Sequence, residues 1–229
     1  MPQKEIVLYT HNEFIRPIVS ECLIKYFKLN IEIIEITKDI DRYISNFPVK
    51  TVPALLINDN LKLFEQIAVT HYIIKMSNDD DEIQKLLGKN EDFEHQSHID
   101  MICSFCTSDF LNELVMYCLH DLKTIPISEV QAVAACDKLN SMYQIFEEKL
   151  KTNRFLTCDE ITLADLMCAS SFSLGFNSML GPEWRDEHPE IVRWYDVVIH
   201  SDYLKARFEN FKYCDKAHRI IEQPLPWDN

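Results

Sequence analysis

Val52-Pro53-Ala54-Leu55-Leu56-Ile57-Asn58-Asp59-Asn60-Leu61-Lys62-Leu63-Phe64 is the stretch that decides the fold. Two short apolar runs, 54–57 and 61–64, flank Asn58-Asp59-Asn60. Asn and Asp tolerate the left-handed backbone of a tight reversal, so the segment reads as a β-hairpin. Pro53 stands at its entrance. A proline has no N–H to give to a ladder, which places it at a turn or a sheet edge. The residues alone leave two readings, a trans proline opening a strand and a cis Val52-Pro53 turn.

Working outward, Ile6 to Tyr9 suits a buried strand, and Thr10-His11-Asn12-Glu13 a polar turn. Pro17 is tolerated in a first helical turn, and Ile18, Cys22, Leu23, Ile24 and Phe27 supply the apolar face of the helix that follows. Ile31 to Ile36 alternates as a second strand, so a βαβ crossover with parallel strands is expected. Residues 42–47 form a short helix ended by Pro48, and a further helix runs from about Gln66 to Met76. The order β-α-β-α-β-β-α is thus complete within residues 1–77. Ser77-Asn78-Asp79-Asp80-Asp81-Glu82 breaks the pattern, and 78–90 reads as an acidic, solvated linker. From 91 to 229 only helical periodicity remains, in candidate segments 91–119, 127–151, 162–178, 189–200 and 203–210. The clearest helix start is Thr162-Leu163-Ala164-Asp165, a capping box with Ile161 and Leu166 placed as a hydrophobic staple, which makes this stretch structural, not catalytic. The expected fold class is α/β plus all-α in two domains.

The chain of 229 residues carries 23 Lys and Arg against 37 Asp and Glu, a net charge of −14. That balance argues against a nucleic-acid surface, which needs clustered cations, and favours a basic partner or a small ligand. No apolar run is long enough to cross a bilayer and the first residues do not resemble a targeting signal, so no membrane role and a cytoplasmic address are expected. The eight cysteines lack regular spacing and read as free, mostly buried thiols. Cys103-Ser-Phe-Cys106 has C-x-x-C spacing but falls within a helical segment, and no second pair completes a metal site, so no metal is expected.

Residues 47–55 (FPVKTVPAL) and 63–73 (LFEQIAVTHYI) resemble the glutathione-site half of the glutathione transferase superfamily. The sequences at 161–166, 182–185, 188–194 and 202–204 look most like the transferase-like amino-terminal domain of the gamma subunits of the translation elongation factor 1 complex. The resemblance implies a thioredoxin-like domain followed by an all-helical domain, and a two-fold homodimer. Gamma subunits continue through a Lys-rich linker into a second domain, whereas this sequence stops at Asn229, so it looks like a free-standing, fungal-type relative.

By resemblance, Val52, ahead of a cis Pro53, pairs its backbone with the cysteinyl part of glutathione. The helix start at Gln66 meets the γ-glutamyl carboxylate, Glu65 its ammonium group, and Lys50 or Thr51 the glycyl carboxylate. Gln66 stands where transferases usually carry Ser. Thiol activation needs a donor at the end of the first strand, and the candidates there are Tyr9 and His11. A strand tyrosine also serves as a core residue with its hydroxyl at the rim. Two functions are therefore expected to compete. One is a glutathione-binding or protein-docking scaffold with weak or no transferase activity, partnered by the elongation factor's nucleotide-exchange subunit. The other is an active transferase conjugating glutathione to small electrophiles.

Overall fold

The computed structural model describes residues 5–121 and 127–217. Its first unit is a four-stranded sheet of order β2-β1-β3-β4, with β1 Ile6–Thr10, β2 Glu32–Glu35, β3 Ala54–Ile57 and β4 Leu61–Phe64. β1 runs parallel to β2 and antiparallel to β3, and β3 and β4 form the expected hairpin, with Asn58 and Asp59 at φ 49° and 55°. The Val52-Pro53 bond is cis.

Every residue of β1 is buried, as a central strand covered on both faces must be. Alternation sends Ile6 and Leu8 to one face, against α1 (Ile18–Tyr26) and α3 (Gln66–Met76). Val7 and Tyr9 go to the other face, where α2 (Ile40–Asn46) and the residue after it contribute Tyr43 and Phe47. Arg42 ties α2 back to the sheet through Glu5 at 2.8 Å and Asp59 at 3.2 Å.

The segment 78–90 differs from the solvated connector expected. It holds α4, Asp80–Leu87, whose Leu86 is fully buried. The acidic run is the reason: Asp79 accepts the Glu82 N–H at 3.1 Å as N-cap, and three carboxylates in the first turn face the positive helix end. Glu82 also accepts the Tyr203 hydroxyl at 2.5 Å, which ties α4 to the distal end of the helical unit.

The helical unit comprises α5 Phe93–Phe105, α6 Leu111–Asp121, α7 Glu129–Thr152, α8 Leu163–Ser178, α9 Pro182–Glu187, α10 Pro189–Ile199 and α11 Lys205–Phe208. The periodicity over 91–119 is thus two helices joined by a π turn at Cys106–Phe110, and α9 is a helix that periodicity did not announce. α8 is the axis. Thirteen of its sixteen residues are buried, which explains why it lacks a polar face. α1 packs on α8 and α11, so the sheet's helical face and the helical unit share one apolar core.

The capping box at Thr162 forms and does more than cap. Asp165 Oδ2 accepts the Thr162 N–H at 2.9 Å and its hydroxyl at 3.0 Å. Its Oδ1 accepts the Leu156 N–H at 2.9 Å and the Trp194 indole N–H at 2.8 Å. Glu147 of α7 plays a similar part for α10, accepting the Glu190 and Ile191 N–H groups at 3.1 and 3.0 Å.

The cysteines are free thiols. Cys103 and Cys106 have no exposed surface, and Cys106 Sγ lies 3.2 Å from the Ser171 hydroxyl. Burial pushes the Cys22 thiol up to about 11. Among the described residues no group of three or more His, Cys, Asp or Glu is placed to hold a metal ion. No described helix is long and apolar enough to cross a membrane.

Candidate functional site

Strand register gathers the candidate residues. Thr10 pairs with Glu35, Tyr9 with Ala54, and Ala54 with Phe64. Glu35 and the residues just beyond the other pairs, His11, Val52-Pro53 and Glu65, thus line up across one end of the sheet, where the parallel strands β1 and β2 terminate and ligands of α/β folds settle. The first turns of α1 and α3 open onto the same end.

Val52 is 6% exposed, yet neither its N–H nor its carbonyl has a hydrogen-bond partner among the described residues. Its neighbour Thr51 is exposed and gives its carbonyl to the Tyr43 hydroxyl at 3.1 Å. Lys50 is exposed at φ 57°, in a turn closed by its N–H to the Phe47 carbonyl at 3.0 Å. The left-handed backbone at Lys50 turns the chain sharply just before the Val52 edge.

Glu65 is the N-cap of α3 at φ 72°, exposed, with no side-chain cap on the helix. The first N–H groups of α3 therefore keep their capacity for an anion, and Glu65 stands beside them as a counter-charge for an ammonium group. Gln66 is 4% exposed, and its Oε1 is buried without a partner among the described residues. A buried amide oxygen in that state asks for a donor that a ligand or water brings. The Gln66 carbonyl accepts the Thr70 hydroxyl at 2.7 Å, and Thr70 meets Ser20 of α1 at 2.9 Å, so buried polar links set the start of α3 against α1.

The two thiol-donor candidates part company. Tyr9 has no exposed surface, lies in the core beneath α2, and donates its hydroxyl to Asp39 Oδ2 at 2.9 Å. Burial and the Asp39 carboxylate push its pKa up to about 12. His11 stays at the sheet end, half-buried and stacked on exposed Phe14 at 4.4 Å between ring centroids. Its Nδ1 accepts the Glu13 N–H at 3.3 Å, which leaves the proton of the neutral ring on Nε2, 4.0 Å from Glu35 Oε1.

Three residues at this end were not singled out from the sequence. Thr10 donates its hydroxyl to Glu21 of α1, Glu35 accepts the Asn12 N–H at 2.9 Å, and Arg16 reaches Asn112 of α6 at 2.7 Å. None lies in a motif. Only the pairing of β1 with β2 and the packing of the α1 turn on the helical unit bring them in.

The arrangement is matched by known proteins. The family model of the glutathione S-transferase N-terminal domain fits residues 4–75, and that of the C-terminal domain fits 103–202. The solved GST-like domain of elongation factor 1-gamma from Saccharomyces cerevisiae superposes with a TM-score of 0.86 at 33% identity, covering 94% of this chain and 98% of that one. The chain belongs to the glutathione transferase superfamily. Among sequences, this transferase-like chain is 33% identical over 212 residues to a Saccharomyces cerevisiae protein described as an elongation factor 1 gamma homolog, covering 92% of this chain and 94% of the relative. It is 34% identical over 202 residues to elongation factor 1-gamma 1 of the same organism, covering 88% of this chain but about half (49%) of that longer protein. The thioredoxin-like and all-helical architecture implied by the sequence is the one observed.

Proposed function

We propose that this protein is a glutathione-binding scaffold that docks other proteins and carries weak or no transferase activity. One observation carries the chemical half. The Tyr9 hydroxyl is spent on Asp39 and the Thr10 hydroxyl on Glu21, so among the described residues the end of β1 offers a glutathione thiol no uncommitted hydroxyl. The open Val52 backbone, the uncapped start of α3, Glu65 and the unpartnered Gln66 oxygen support glutathione binding itself. Lys50 or Thr51 meets the glycyl carboxylate in this reading, and the exposure of both beside Val52 supports it.

The likeness to elongation factor 1-gamma supports the docking half, with a nucleotide-exchange subunit as partner and a cytoplasmic site of action. A homodimer belongs to the same reading. Leu61 and Phe64 on edge strand β4 and Phe93 and Met101 on α5 are exposed apolar side chains, and α3 stands between the two elements, packing on β4 and reaching α5 through His71–Asp100 at 3.6 Å. Burying such a patch between copies is favourable.

The competing reading, an active transferase, is favoured by His11 alone. Its Nε2–H is a ring donor left at the end of β1, because Nδ1 accepts the Glu13 N–H. The deciding experiment pairs two assays on the purified chain, co-sedimentation with the exchange subunit and conjugation of glutathione to a chlorodinitrobenzene. A stable complex at micromolar protein with conjugation near the uncatalysed rate is expected. No association, together with conjugation abolished in His11→Ala, would replace the scaffold by the enzyme.

A further inference from the structure

Away from the sheet end, a cavity of about 240 Å³ opens between α6, α7 and the turn from α8 into α9. Three aromatic rings line it, Tyr117, Tyr143 and Trp184, and Leu139 and Met179 add apolar wall. Glu183 and Glu187, both exposed, stand at its rim, and neither has an ion-pair partner among the described residues. Tyr143 is 2% exposed, yet its hydroxyl is buried without a partner among the described residues, and the Trp184 indole N–H is in the same state. The two rings meet edge to face at 4.9 Å, and Trp184 is backed by His188 stacked at 4.0 Å. The nearby cation, Arg185, is turned away: its guanidinium bonds the Leu180 and Cys214 carbonyls and lies over Tyr213.

We propose that this cavity is a docking pocket for a lysine side chain of a basic protein segment. Each wall answers one part of such an occupant. Aromatic rings attract a cation, more strongly once it is desolvated. Leu139 and Met179 suit the methylene stem that long cationic side chains bury. The Tyr143 hydroxyl oxygen accepts an ammonium N–H, and the Glu183 and Glu187 carboxylates supply the counter-charge at the mouth. The Trp184 N–H wants an acceptor, which a free alkylammonium ion lacks and a peptide carbonyl provides; that difference selects a protein segment over a small cation. The net charge of −14 steers such a segment toward the chain from a distance.

The proposal deepens the docking reading but uses none of the sheet-end residues, so the two fail separately. It is tested on the full chain by calorimetric titration with a synthetic peptide of alternating Lys and Gly. The Glu and Gly counterpart and butylammonium serve as controls. The Lys peptide is expected to bind, and the Glu peptide not. In Glu183→Gln/Glu187→Gln, a double variant at exposed positions, affinity falls about tenfold, within what the loss of two exposed charge pairs supplies. Tyr143→Phe weakens binding further and leaves glutathione titration unchanged. Equal affinity in the double variant, or no binding of the Lys peptide at millimolar concentration, overturns the proposal. Butylammonium binding as tightly as the peptide overturns it too, in favour of a small-cation site.

Discussion

Asp165 and Gln66 are both buried polar residues in the first turn of a helix, and the fold treats them in opposite ways. Asp165 opens α8 and is surrounded by donors: two from Thr162, one from the Leu156 backbone and one from Trp194. Burial pushes its pKa up while those donors pull it back, and nothing of its hydrogen-bonding capacity is left for a ligand. Gln66 opens α3 with its side-chain oxygen buried and unmet, beside an uncapped helix end and an open Val52 backbone. A satisfied polar centre holds a fold together, and an unsatisfied buried one leaves an acceptor that water or a ligand can fill. The same contrast separates Tyr9, committed to Asp39, from His11, which keeps its Nε2 proton at the sheet end.

The largest effect lies at the satisfied centre. Asp165→Ala leaves three buried N–H groups unpaired, at about 1–3 kcal/mol each. A loss of about 4 kcal/mol corresponds to a melting temperature lower by about 8–16 °C for a chain of this size. Calorimetry showing a fall under about 3 °C would break the comparison, because Asp165 would then be no more essential than Gln66.

Much of this contrast was legible in the sequence. Thr162 and Asp165 sit at capping-box spacing, and the hairpin residues and the Val52-Pro53 pair announce the sheet. What the sequence withheld depends on distant partners. The donors from Leu156 and Trp194 come from other turns, so local spacing marks Asp165 as a cap but not as a hub. The acidic run at 79–82 carries both a linker signal and the D-x-x-E signal of a helix start, and the second wins because Leu86 has a core to enter. The direction of Tyr9 follows from strand alternation, but which face holds the ligand does not. Whether Gln66 points inward or outward is equally silent in a pattern of residues.

Thr162→Ala sharpens the contrast within the hub. The cap hydroxyl is one of four donors to Asp165, so about 1 kcal/mol is expected, or roughly 2–4 °C in a thermal melt. A loss matching that of Asp165→Ala would mean that capping, not the Leu156 and Trp194 links, dominates. Tyr9→Phe removes one partly buried hydrogen bond to Asp39 and should cost about 1 kcal/mol in denaturant titration. Its glutathione titration should be unchanged; a weaker isotherm would place the hydroxyl at the thiol instead. The smallest effect is expected at the unsatisfied centre. Gln66→Ser restores the short hydroxyl usual in the family and should tighten glutathione by about threefold in equilibrium dialysis, equivalent to ~0.6 kcal/mol.

The central claim is that the row formed by Val52, Glu65 and Gln66 holds glutathione. Isothermal titration of the wild-type chain and of Glu65→Ala with glutathione tests it most directly. The account predicts binding by the wild type that is lost in Glu65→Ala, with the melting temperature of the variant unaltered because Glu65 is exposed and caps nothing. No heat from the wild type at millimolar glutathione, or binding that persists unchanged in Glu65→Ala, would contradict it.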